Sequence, residues 1–113
     1  MAIQNNKLAR QQQNMRNLGK HILEEVVTVD QQLARLEEDI RKLKIDFGIF
    51  FNGGLKRAPH EARGRVEAHI KRLSDDRSLT YAQRYLLNNL VARYTSYREL
   101  WRRTFKQRGE GNF

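Results

Sequence analysis

Residues 15–50 read MRNLGKHILEEVVTVDQQLARLEEDIRKLKIDFGIF, and this stretch decides the fold. Met15, Ile22, Val26, Val29, Leu33, Leu36, Ile40, Leu43, Phe47 and Phe50, with Gly19 as a weak member beside Leu18, recur at spacings of four and three. That alternation is a heptad seam, because an apolar step every 3.5 residues keeps one stripe of a helix facing a partner. The residues between Leu33 and Leu43 are charged or good helix formers. The pattern therefore predicts one long helix over about residues 15–50, roughly 50 Å at 1.5 Å per residue. An ordinary amphipathic helix of a globular bundle is the competing reading. The strict period favours the seam.

Asn52-Gly53-Gly54 and Pro59 end that helix, the glycines by tolerating positive φ and the proline by being unable to continue it. Phe47, Ile49, Phe50, Phe51 and Leu55 crowd around this break, as an apolar plug closing a hairpin would. The Asn-Gly-Gly run lacks the spacing of a phosphate loop. Pro59, suited to a first helical position, opens a short helix over about 59–73, carried by Ala62, Val66, Ile70 and Leu73. Ser74-Asp75-Asp76 reads as its exit. A third helix runs over about 79–107, with Thr80 or Ser78 as N-cap. Its apolar face is Leu79, Leu86, Leu87, Leu90, Tyr94, Tyr97, Trp101 and Phe105. The first 14 residues, seven of them Gln or Asn, are expected to form a flexible polar arm, and residues 109–113 a flexible tail.

Five of the eight residues flanking the seam between Leu23 and Asp46 are acidic, whereas the C-terminal half is basic. A parallel homodimer gains nothing from those flanks, since Glu25 would oppose Asp30 while Asp39 would meet Lys44. The expected architecture is all-α: an elongated antiparallel helical hairpin or coiled coil, the third helix packed back on the first, joined by a short bridging helix. Arg93 and Arg98 would then face the acids of the first helix. Apolar length left over near the N-terminus makes Met15, Ile22, Val26 and Val29 candidates for a protein contact, with a second copy or with a partner helix.

The chain has 113 residues, 22 Lys plus Arg against 13 Asp plus Glu, and a net charge of +9. Residues 1–20 carry +4, 21–50 carry −3, 51–78 carry +3 and 79–113 carry +5. A mean hydropathy of −0.81 disfavours a large round core and suits thin helices that bury one stripe each. The absence of cysteine excludes disulfides and thiolate metal sites. No apolar run approaches the ~20 residues of a membrane span. The opening MAIQNNKLARQQQN lacks the apolar core of a secretory signal, so a cytoplasmic location is expected.

Chemistry-bearing motifs are few. His21, His60 and His69 form no i, i+4 pair and no HExxH. Glu37-Glu38-Asp39 splay around a helix instead of converging as catalytic carboxylates do. No nucleophile elbow or dinucleotide fingerprint occurs. The expectation is a non-enzyme without metal or cofactor.

The basic residues are the functional lead. Arg84, Arg102 and Lys106 project away from the apolar face of the third helix, Arg98 and Arg103 lie to either side, and Tyr81 and Tyr85 border the outward face. Lys56 and Arg57 in the turn extend the positive field, with Arg63, Arg65, Lys71 and Arg72 of the second helix. Fifteen of the 22 basic residues are Arg, the side chain that grips phosphate bidentately. The reading is contact with an RNA or DNA backbone, without a base-reading module. The alternative is an adaptor that docks on an acidic protein surface. A membrane role is set aside, because the apolar side of the third helix is claimed by the first.

Overall fold

The structure is a computed structural model that describes residues 27–111 and 113. Within them it is all-α, with three helices: α1 (Val29–Phe51), α2 (His60–Asp75) and α3 (Tyr81–Arg108). The heptad positions of α1 are the ones that disappear from solvent. Leu33, Leu36, Ile40, Leu43 and Phe47 are buried, against Val66 and Leu73 of α2 and Leu87, Leu90, Tyr94, Trp101 and Phe105 of α3. Each helix gives one stripe to a single shared core, as the thin-helix composition requires. Leu86 is the misfit among the expected α3 face, being exposed.

The direction of pairing differs from the expectation. Gln83 Nε2 donates to Asp30 Oδ1 at 3.0 Å, and Arg93 lies 3.9 Å from Glu37. Further along, Trp101 stacks on Phe47 at 4.1 Å between ring centroids, and Arg108 donates to the Phe51 carbonyl at 2.7 Å. Residue numbers rise together on both helices, so α1 and α3 run parallel, not antiparallel. The reason is the length of α2. Its 16 residues span about 24 Å, long enough to return the chain along α1 as a full antiparallel layer. Helix α2 is thus the hairpin partner of both neighbours, not a bridge.

The start of α1 differs as well. Thr28 is extended, with φ −65° and ψ 156°, and caps the helix. Its hydroxyl accepts from the Gln31 backbone N–H while its own N–H donates to the Gln31 side chain, a reciprocal capping box. A single helix running unbroken through residue 28 does not form. Met15, Ile22 and Val26 lie outside the described residues, as does the expected N-terminal arm. Val29, proposed for an external contact, instead packs on the edge of the internal core.

Helix α3 opens with the same device, Thr80 and Gln83 satisfying each other's backbone groups. Pro59 is the N-cap of α2 instead of its first residue, and α2 continues through Ser74 to Asp75. The exit falls at Asp76, whose carboxylate accepts from the Ser78 backbone and hydroxyl. Gly53 takes φ +82° in the α1–α2 turn, a value a side chain disfavours.

The expected apolar plug is present: Phe50 and Phe51 pack against Phe105, and Phe47 against Phe51. Phe113 joins it, 5.3 Å from the Phe105 ring. The terminal residue, expected to be free, folds back because Gly109 reverses the chain at φ +65° and because the plug and the Arg63 guanidinium, 4.2 Å above its ring, give Phe113 a seat.

Candidate nucleic-acid interface

Parallel α1 and α3 place the α1–α2 turn, the start of α2 and the last turns of α3 at one end of the bundle. That end holds the aromatic plug, and six of the seven expected anion-binding residues lie on the segments that reach it. Lys56 and Arg57 share a shallow groove with Phe50, His60, Phe105 and two carboxylates, Glu110 and Glu61, the latter paired with Arg65 at 3.5 Å. Lys106 follows Phe105 directly, and Arg98, Arg102 and Arg103 lie within the two turns before it. Between residues 98 and 108, α3 carries five basic residues and one acid.

These cations differ in what they already touch. Arg102 pairs with Glu99 at 2.9 Å, and this partner holds the Glu99 carboxyl below its usual range. Arg98 is 3.6 Å from Glu67 and lies over the Phe113 ring. Lys56, Arg57, Arg103 and Lys106 are exposed and have no carboxylate within ion-pair distance among the described residues. A cation without an internal partner keeps its full charge for an incoming anion.

Arg84 does not belong with them. It sits at the opposite end, where its guanidinium donates to the Ser74 and Asp76 carbonyls at 3.1 and 2.7 Å. Those are carbonyls at the end of α2 that lack an intrahelical partner. Arg84 is a clasp holding the α2–α3 turn, not a ligand-facing charge.

The residue that the sequence does not single out is Glu67. Its carboxylate accepts from the Tyr94 hydroxyl at 2.6 Å and from Arg63 at 3.2 Å, with Arg98 beside it. Burial, together with the bond to Glu67 and its negative charge, pushes the Tyr94 hydroxyl well above its ordinary pKa. Glu67 is a positioning residue: it joins α2 to α3 and fixes Arg98 and Arg63. Its place three residues before the α2 core residue Ile70 gives no sign of this, because the Tyr94 partner is 27 residues away.

A second concavity, of about 650 Å³, lies between α1 and α2. Arg35, Lys42, Arg65 and Arg72 are on its walls, but Asp39 and Asp46 are interleaved with them, so no single-sign field develops. His69 in this groove is held below its ordinary pKa, first by burial and then by the charge of Arg72. Among the described residues no group of three His, Asp or Glu side chains comes together in a form that could hold a metal ion. None of the described helices is long and apolar enough to cross a membrane. Comparison of the chain with protein families, curated proteins and solved structures finds no match.

Proposed function

We infer that the chain is a non-catalytic helical interaction protein whose aromatic-plugged basic end contacts the phosphate backbone of nucleic acid. The observation that carries this reading is the gathering of Lys56, Arg57, Arg103 and Lys106 at one end of the bundle, exposed and without acidic partners among the described residues. A helical scaffold with unpaired guanidinium and ammonium groups suits backbone binding, which needs positive charge and little else. The interface carries no sequence-reading module, so recognition is of charge and shape.

Salt-titrated anisotropy with labelled RNA and labelled duplex DNA tests it. Binding tightens as salt falls. Arg103→Ala with Lys106→Ala lowers the log–log salt slope by about two, since each side chain neutralises one phosphate. Undetectable binding to both nucleic acids at low salt, with polyglutamate still bound, overturns the reading and assigns the basic end to an acidic protein surface.

A further inference from the structure

Helix α3 has an outward side that the core does not use, and its composition is unlike the rest of the chain. Between Tyr81 and Ser96 the only charged residues are Arg84 and Arg93. Both turn aside, Arg84 to the Ser74 and Asp76 carbonyls and Arg93 toward Glu37. The outward residues include Tyr81, Tyr85, Asn88, Asn89, Ala92, Thr95 and Ser96, all exposed and uncharged. The two tyrosines are one helical turn apart, and Tyr81 is 90% and Tyr85 64% exposed. Neither ring is within stacking distance of another aromatic side chain among the described residues. A chain that is 31% charged leaves here a face with aromatic rings and amides and no charge, the composition of a contact surface. Further along the same helix comes Glu99, neutralised by Arg102 at 2.9 Å, and beyond it the face becomes basic at Arg103 and Lys106. From Tyr81 to Lys106 it extends about 38 Å.

We propose that this α3 face binds single-stranded RNA, with Tyr81 and Tyr85 stacking on unpaired bases and Arg103 and Lys106 holding the phosphates further along the strand. The proposal rests on the backbone-binding reading above and adds the form of the nucleic acid. To stack on exposed aromatic rings a nucleic acid must offer free π-faces, and a duplex keeps its bases stacked inside. The uncharged middle of the face discriminates against a continuous row of phosphates, whereas a strand with its bases turned inward meets rings and amides there. RNA is assigned over DNA because Asn88 and Asn89 each present a donor and an acceptor, matching the 2′-hydroxyl, which is both. A second copy of the chain is the competing occupant. It gains no charge complementarity, since the face is neutral at one end and positive at the other.

The test uses the full chain, with labelled poly(U), poly(dT) and a blunt RNA duplex of equal length, at fixed low salt. Poly(U) binds more tightly than either of the others. Tyr81→Ala with Tyr85→Ala weakens poly(U) binding about tenfold or more and leaves duplex binding and the melting temperature unchanged. Tyr81→Phe with Tyr85→Phe restores poly(U) binding, since the ring is kept. Unchanged poly(U) affinity in the alanine variant, with its salt slope intact, overturns the stacking proposal while the backbone reading stands. Equal binding of poly(U) and poly(dT) overturns the assignment to RNA. A concentration-dependent dimer in sedimentation that the alanine variant abolishes gives the face to a second copy and overturns the proposal. Absence of binding to all three nucleic acids overturns both readings together.

Discussion

Replacing Trp101 by Ala separates what holds the bundle together from what its surface does. Trp101 is 3% exposed, stacks on Phe47 at 4.1 Å with the rings 14° apart, and meets Tyr94 edge-on at 6.2 Å. Truncating a buried Trp costs ~3–5 kcal/mol through the transfer energy forgone and the cavity left behind. A stacked aromatic pair adds ~0.5–1.5 kcal/mol beyond burial, placing this site at the upper end. A domain of this size carries about 4–13 kcal/mol in all, so the variant forfeits a large share of its stability. At about 4–8 °C per kcal/mol, thermal melting followed by circular dichroism falls by more than 12 °C or becomes non-cooperative. Arg102→Ala with Lys106→Ala, one and five residues further along, changes surface groups only, a class of substitution that usually moves stability by less than ~0.5 kcal/mol. It melts within a few degrees of the parent and binds nucleic acid more weakly. Should the double variant melt as low as Trp101→Ala, the assignment of faces on α3 is wrong. Should it bind as tightly as the parent, these two residues are a solvated face.

Two further outcomes follow from the caps and from His69. Thr28→Ala and Thr80→Ala each destabilise by about 1 kcal/mol, and Thr80→Ala costs the more, because its partner Gln83 also donates to Asp30 and ties the starts of α1 and α3; equal melting of both variants and the parent counts against these caps. His69 lies among Arg35 and Asp39 of α1 and Arg72 of its own helix, and its pKa is depressed from the ordinary 6.5. Folding therefore favours the neutral ring, and the stability it contributes is present above pH 6.5 and is lost as pH falls through the lower folded value. Melting temperatures measured from pH 7 down to about pH 5 decline in the parent and decline less in His69→Gln; parallel profiles refute the role of His69.

Much of this fold is legible in the sequence, for a reason visible in particular residues. Leu33, Leu36, Ile40, Leu43 and Phe47 obey one period and are all buried, because periodicity encodes which face turns inward. It does not encode where a helix starts. Val26 and Val29 keep the phase of the seam across residue 28, so the pattern gives no sign that α1 begins only after Thr28. The Thr28-x-x-Gln31 spacing carries that information, and the matching Thr80-x-x-Gln83 has the same meaning. Charge flanks do not encode direction either: Glu37 meets Arg93 in a parallel pair just as it would in an antiparallel one. The roles of Arg84 and Glu67 are out of reach of any local pattern, since one depends on backbone carbonyls at the end of another helix and the other on a tyrosine 27 residues distant.

The parallel course of α1 and α3 has a consequence for the basic surface. In an antiparallel hairpin, the C-terminal turns of α3 would lie beside the start of α1, a bundle length away from Lys56 and Arg57. With α2 returning the chain, Lys56, Arg57, Arg103 and Lys106 come to the same end. Part of that positive charge has a purely structural cause. Both α1 and α3 point their C-termini here, and the partial negative charge of a helix end favours cations within the last turn. Lys106 and Arg108 stand in the last turn of α3, where this polarity favours them whatever else they bind. Arg103 lies more than a turn earlier, and the last turn of α1 holds no basic residue at all. Lys56 and Arg57 come five and six residues after α1 ends, beyond the reach of its dipole. Neither helix polarity nor an acidic partner explains these three, and they are where an external anion best accounts for the charge.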